Sequence, residues 1–466
     1  MAPSDDVEHC SSNGACQPSD PVTAIIVAIT GCLAFLTRIV GVRQMMLAIM
    51  FARPSCDRVF DWLKDAFGDQ SGPGASINAI VIAMAAVAIL HVPEIAFSAP
   101  LLGWASFLAA AAGSLLRTPD PHGGLRLVLV LVSYAAVFTL PYAVIKSRET
   151  MAQCLSVALG SSLVPSTVAL LEVAMSPAIL TGELRLQSTF THPNIYAFYL
   201  VGVVSLILYM NCSTRIALSA FMRRATLTYA GYLLFLLLLT KTRSAWVSML
   251  IILAGYSVVV DRRWLLPMLG LPTIAVFIPG ISERLSDLES GTIAVGFEQL
   301  NSLAWRELLW QDTLEWLRNN PPGLLGYGAG SFGSYAPLFF SRFDPQAGIG
   351  LHNAFLQTYF ETGIAGVITF TFLMTAIMLK LIAMLNKDFA GSFTMLTVCA
   401  GYMIVFYSDN LLDYLQFQWF FWFMLGSICA SGRFAVVSCS VPIPGIPVIS
   451  STSGVVSSSP GPQPRG

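Results

Sequence analysis

Long apolar runs separated by short polar stretches organise most of this chain. A membrane-spanning helix needs about 20 predominantly apolar residues. Candidates fall near 22–41, 77–92, 97–115, 125–145, 151–172, 194–211, 225–240, 244–260, 264–280, 354–383, 392–410 and 414–431. The pattern predicts an all-α polytopic membrane protein with about 12 transmembrane helices. Arg38 and Arg43 interrupt the apolar run from 22 to 52, which reads either as one span plus an interfacial helix or as two short spans. Five regions follow: a polar N-terminal tail (1–21), a helix bundle (22–280), a large polar loop (281–350), C-terminal spanning helices (351–432) and a Ser/Pro/Gly-rich tail (433–466). The composition of that last tail cannot form a core, so it is expected to be disordered.

Within the large loop, Ser302 can cap a helix that Pro321-Pro322 stops. Helical spacing puts Leu303, Trp310, Leu314 and Leu317 on one stripe, with Asp312, Glu315 and Arg318 away from it. Arg306 falls on the apolar stripe. Either it snorkels or pairs with a nearby Glu, or it is aimed inward at an anionic ligand. Gly326-Tyr327-Gly328-Ala329-Gly330-Ser331-Phe332-Gly333 is only superficially a phosphate loop, since no strand precedes it and no Lys-Ser/Thr follows. A turn returning the loop to the membrane is the expected role.

Composition agrees with this pattern. Of 466 residues, 55% are hydrophobic and 11% charged, with a mean hydropathy of +0.70. Ordinary soluble domains carry about 25% charged residues. The net charge of −1 and the lack of a basic tract give no footing for a nucleic-acid partner. Nine cysteines include no CxxC; most sit in apolar runs as small packing residues, and Cys10 and Cys16 lie in the polar tail. Residues 1–20 lack a basic n-region and cleavage site, so the first span is expected to be retained. Lys/Arg bias in short loops sets orientation: Lys146 and Arg148, Arg215 with Arg223 and Arg224, Arg262 and Arg263, and Lys380 and Lys387 all fall inside when both termini are inside. The same parity sends 173–193, 241–243 and 281–350 outside, together with Arg53, Arg58 and Lys64, which go against the rule. No internal repeat is visible, which weakens a transporter built from inverted halves.

Candidate chemistry collects on the outer face. His352 stands where the large loop turns into an apolar helix, and an ionisable group at a membrane boundary needs a structural or chemical reason. A histidine side chain can serve as a base or hydrogen-bond donor near neutrality; the bland alternative is a histidine satisfied by backbone at a helix start. Glu361, Asp409, Asp413 and Glu183 are further possible bases or partners. Lys241-Thr242-Arg243-Ser244 forms a tight turn whose guanidinium suits a diphosphate, against a reading as interfacial anchoring. Pro193 fits a first helical turn capped by Thr191 or His192, where Arg185 would reinforce an anion-attracting helix end. No DxD or His/Asp cluster is present, so metal-independent chemistry without a cofactor is expected.

Arg185-Leu-Gln-Ser-Thr-Phe-Thr-His-Pro-Asn194, Thr240-Lys-Thr-Arg-Ser-Ala-Trp246, Trp305-Arg306, Gly326-Tyr-Gly328 and His352-Asn-Ala-Phe-Leu-Gln357 with Glu361-Thr-Gly363 occur in one order along the chain. In these segments, over roughly 180–370, the chain resembles the O-antigen ligase/polymerase superfamily. The resemblance implies a GT-C type glycosyltransferase of the bacterial inner membrane, multi-pass, with its active site facing the periplasm. It implies an undecaprenyl-diphosphate-linked glycan as donor, with a second lipid-linked repeat (polymerase) or lipid A-core (ligase) as acceptor. A chain-length regulator and a flippase are implied as further partners beside the lipid bilayer. By the same resemblance Arg185 and Arg243 hold the diphosphate, His352 orients or deprotonates the acceptor hydroxyl, and Arg306 matches the family's loop arginine. Lys241, His192, Asn353 and Glu361 are counted with Arg306 among substrate-binding residues. The motif forms look closer to exopolysaccharide polymerases than to ligases, so a polymerase is preferred. A non-enzymatic lipid-glycan flippase or transporter is the alternative from another class, and it predicts charges buried at mid-span.

Overall fold

The computed structural model describes residues 41–67, 73–181, 183–276, 302–340 and 350–433. All of them fall within one compact unit, Met1–Phe434. The expected first span at 22–41, the polar tail with Cys10 and Cys16, and the expected C-terminal tail beyond Arg433 lie outside the described residues, apart from Gly41 at the edge of that span.

The described residues are helical, without a strand among them. Helices α1 (Val42–Ala52) and α2 (Asp57–Phe67) come first, then α3 (Pro73–His91), α4 (Ala99–Ser114), α5 (Pro121–Val144), α6 (Arg148–Gly160) and α7 (Leu163–Met175). The chain continues through α8 (Pro193–Cys212), α9 (Ala220–Leu239), α10 (Arg243–Val259) and α11 (Leu265–Val276). The large loop contributes α12 (Ser302–Asn319), and α13 (Ala354–Met384), α14 (Phe389–Ser408) and α15 (Leu415–Ser431) complete the bundle. Helix therefore stands at every expected span as far as the residues are described. Seven stretches among the described residues are long and apolar enough to cross a membrane, one of them α6 and α7 taken together. Among the described residues α10 is apolar but shorter, at 17 residues; the expected span at 22–41 lies outside them and α11 is described only as far as Val276, so the expected figure of about 12 goes beyond these seven without being tested by them. The expected span at 151–172 is bent at Ser161-Ser162, whose hydroxyls meet Tyr199 at 2.9 Å and Tyr229 at 2.8 Å.

Two helices that are apolar all round lie innermost, as that pattern requires. They are α8 and α15, both buried almost throughout. Around α15 the aromatic side chains interlock: Trp422 meets Trp104 edge-on at 4.6 Å, and Phe421 stacks on Tyr402 at 4.2 Å. Helix α4 packs on α13, α5 on α15, and α10 on α14. The loop helix α12 is laid over the start of α13 by a second apolar cluster containing Leu309, Leu317, Phe332, Phe340 and Phe360. Its buried stripe runs through Leu309, Thr313 and Leu317, while Leu314 is exposed, so the expected stripe is rotated about the helix axis. That rotation lets Arg306 reach across to the C-terminal end of α14.

Candidate functional site

Three polar turns, each leading into an apolar helix, are held in unusual backbone. Among the described residues, Ser188, Lys241 and His352 are the non-glycine residues with positive φ, at 55°, 52° and 50°. Each such residue costs of order 1–3 kcal/mol and persists only where its surroundings over-determine it. Here they do. The Ser188 amide donates to Glu172 Oε2 at 2.6 Å, Lys241 Nζ donates to the Leu184 carbonyl at 2.5 Å, and Trp310 Nε1 donates to the Leu351 carbonyl beside His352 at 2.6 Å. Each strained turn lies in a segment with candidate site residues, while Arg306 stands apart on α12.

Asp409, at the C-terminal end of α14, is where they meet. It is fully buried. Its Oδ1 accepts from the Tyr414 hydroxyl at 2.7 Å and from the Asn410 amide at 3.0 Å, and its Oδ2 accepts from Ser244 Oγ at 3.1 Å. His352 Nδ1 stands 3.6 Å from Oδ1, long for a hydrogen bond and close enough for a strong electrostatic pull. Arg306 Nη1 donates to the carbonyl of Ser408, the preceding residue, at 2.8 Å. Burial alone would push the Asp409 carboxyl up, but His352, the Arg306 charge and the Tyr414 hydroxyl together hold it below the ordinary aspartate value. Asp409 is therefore an ionised partner for the imidazole.

Arg185 ties the remaining turns together. Its Nε donates to the Thr240 carbonyl at 3.0 Å, and its Nη2 donates to Asn194 Oδ1 at 2.6 Å and Thr242 Oγ1 at 2.9 Å. Asn194 Nδ2 in turn donates to the Tyr414 hydroxyl at 3.2 Å, closing a path from Arg185 to Asp409. Arg243 is the first residue of α10, half-buried, directly between Thr242 and Ser244. His192 caps α8: its Nδ1 accepts from the Asn194 amide at 3.1 Å. Burial and then the nearby Arg185 charge lower its pKa, which keeps the ring neutral and directs its other nitrogen outward as a donor.

Four expected site residues thus converge with Asp409 and with one another: His352, Arg306, Arg185 and His192. Three others are placed differently from the expectation. Lys241 is buried and turned to the Leu184 carbonyl, so it holds the turn instead of facing a substrate. Asn353 is buried and caps α13, its Oδ1 accepting from Leu356 N at 3.0 Å. Glu361 is buried further along α13, accepting from the backbone amides of Gly330 and Phe332 and facing Gln357 Nε2 at 3.4 Å. It anchors the glycine-rich turn, whose Tyr327 and Gly328 amides donate to the Phe360 and Glu361 carbonyls at 2.9 and 3.0 Å. Asp409 was only one of several possible carboxylates in the sequence, and Tyr414, Asn194 and Ser244 carried no signal of their own. The one available sign was an ionisable residue ending an apolar helix.

Residues 228–371 match the family model described as O-antigen ligase. Over that segment, less than half of its length, the chain is similar to this family. No curated protein matches the chain. The matched segment carries Arg243, Arg306 and His352, whereas Arg185, His192 and Asp409 lie on either side of it. The family supports an O-antigen ligase/polymerase-type enzyme, and the seven apolar stretches make it a multi-pass membrane protein.

Proposed function

We propose that this protein is an inverting glycosyltransferase of GT-C type that polymerises lipid-diphosphate-linked oligosaccharide repeats on the outer face of a bacterial inner membrane. The observation that carries the proposal is the His352–Asp409 pair at the meeting point of arginine-bearing turns. An acceptor hydroxyl attacks the anomeric carbon of the donor sugar. The bond from that carbon to the diphosphate oxygen breaks, and its electron pair leaves on the diphosphate. The proton of the hydroxyl passes to His352 Nε2, which is the free acceptor when Nδ1–H is turned to Asp409. Asp409 stabilises the resulting imidazolium.

A diphosphate is an acidic leaving group, so no general acid is required. Guanidinium groups set before the reaction supply the larger stabilisation of developing charge. Arg243 and Arg306 are assigned to that role. Arg185 is bonded to Thr240, Asn194 and Thr242, so its first contribution is to hold the site in shape. Direct displacement at the anomeric carbon inverts its configuration.

A second reading, ligase, is favoured by the description of the matched family, O-antigen ligase. The product separates the two. Deleting the gene should leave single repeats on the lipid carrier without long chains; long chains stranded on the carrier would instead establish a ligase, and an unchanged surface polysaccharide would sink both.

A further inference from the structure

A cavity of about 530 Å3, its wall mostly apolar, is lined by Arg53, α2, α3, α5, Thr191 and the start of α15. That volume lies within the range of small-ligand sites. Its wall is joined to the cluster through the chain. Asp57 accepts from Thr191, the neighbour of His192, at 3.1 Å from the amide and 3.2 Å from the hydroxyl. Asp57 also accepts from Gln416, two residues after Tyr414.

The cavity holds unspent hydrogen-bonding capacity of both signs. Arg53 is only 4% exposed, yet its Nε and Nη1 donors meet no acceptor. On the same wall Asn78 Oδ1, a buried acceptor, meets no donor. A buried polar group without a partner costs about 1–3 kcal/mol, more for a charged one. Asp57 is already taken up by Thr191 and Gln416, so it offers Arg53 charge without completing its donors. The guanidinium carbon stands 5.1 Å from the Phe60 ring centroid.

These features select a ligand class. Hydroxyl groups donate and accept at once, so they satisfy both the Arg53 donors and the Asn78 acceptor. The wall carries charges of both signs, Asp57 and Asp61 against Arg53 and Arg126, so it does not select a free anion, and a lipid tail would leave Arg53 and Asn78 unpaired. A pyranose offers hydroxyls on its rim and apolar C–H faces suited to Phe60. We propose that this cavity is a saccharide subsite, binding a neutral sugar ring of the glycan next to the one undergoing transfer, with Arg53 and Asn78 as its recognition pair. The proposal rests on the glycosyl-transfer reading. It also gives a reason for a cation at 53 on a face where positive charge runs against the loop bias.

The test uses the full-length protein in lipid nanodiscs. The probe is the carrier-free oligosaccharide released by mild acid from the host's own surface polysaccharide, observed by saturation-transfer NMR. The wild type should bind it, and Asn78→Ala and Arg53→Gln should each weaken binding at least ten-fold. Arg53→Gln removes a buried charge and can fail to fold, so Asn78→Ala with an unchanged melting temperature carries the decision. Unaltered binding by Asn78→Ala, or no binding by the wild type, overturns the subsite. If binding follows this pattern but the wild type transfers no glycan to a lipid-linked acceptor, the glycosyl-transfer reading fails while the subsite stands.

Discussion

At the start of α13, His352 and Asn353 belong to a strained turn that faces Asp409 and the arginines; two turns further on, Glu361, Thr362 and Gly363 belong to a seam of backbone against backbone. Both ends are polar interruptions of an apolar run. The first sets a side chain with a reactive nitrogen over a buried carboxylate. The second breaks the helix at Gly363, with φ 66° and ψ −162°, and accepts the glycine-rich turn so closely that a Cβ on Gly326 would collide with the Glu361 backbone. Trp316, Tyr327 and Phe360 pack around this seam, with Trp316 and Phe360 stacked at 5.6 Å. A polar motif at a membrane surface can therefore serve chemistry at one end and chain geometry at the other. What distinguishes them is whether the polar atoms are spent on the backbone.

The contrast breaks if the two ends respond alike to mutation. His352→Ala should lower glycan transfer by about 10²–10⁴-fold, the usual contribution of a positioned base, with little change in melting temperature. Gly363→Ala should do the reverse. Its backbone conformation is essentially restricted to glycine, and a Cβ there meets the Leu324 carbonyl, so a stability loss of about 3 kcal/mol or more is expected. Transfer per folded molecule should survive in whatever Gly363→Ala protein is recovered. Purified variants assayed for melting temperature and for transfer from a lipid-linked donor would decide it. A Gly363→Ala protein as stable as wild type would remove the structural half of the argument.

Replacing Asp409 sharpens the chemical half. In Asp409→Asn the side-chain amide can donate to His352 Nδ1, which stabilises the tautomer carrying its proton on Nε2. That nitrogen then cannot take a proton from the acceptor hydroxyl. Transfer should fall about 10²-fold or more while the near-isosteric amide preserves packing. Full activity in Asp409→Asn would leave His352 without an oriented partner and reduce it to a packing residue.

Much of the fold was legible because apolar runs must be satisfied as helices in lipid, and helix stands at each expected span that the structure describes. The ends of individual helices were not, since hydropathy marks α10 as apolar without showing that it stops at 17 residues. For the site, composition and position picked out His352, Arg306, Arg185 and His192, each an ionisable group set at a boundary where it needs a reason. Lys241, Asn353 and Glu361 looked the same in sequence, yet their polar atoms go to the Leu184 carbonyl, the Leu356 amide and the Gly330 and Phe332 amides. Only backbone geometry reveals that. Asp409 stayed one carboxylate among several because its partners Ser244, His352 and Tyr414 come from three separate segments, and no spacing rule links them.

The smallest expected effect separates two kinds of histidine on the same face. His192 contributes as a neutral cap, and its lowered pKa, set by burial and then by Arg185, means the folded state disfavours its protonation. The sign follows from linkage: this contribution is complete above the ordinary histidine value near 6.5 and is lost as pH falls through the lowered one. Protonated Nδ1 cannot accept from Asn194, so acidification should remove a cap worth about 1 kcal/mol. Asparagine caps helices without titrating in this range, so His192→Asn should keep its melting temperature where the wild type loses some between pH 7 and 5. Transfer activity at neutral pH should change far less than in His352→Ala. Identical pH slopes for the wild type and His192→Asn would show that this ring does not act as the cap, and its outward nitrogen would then be the feature to test against substrate.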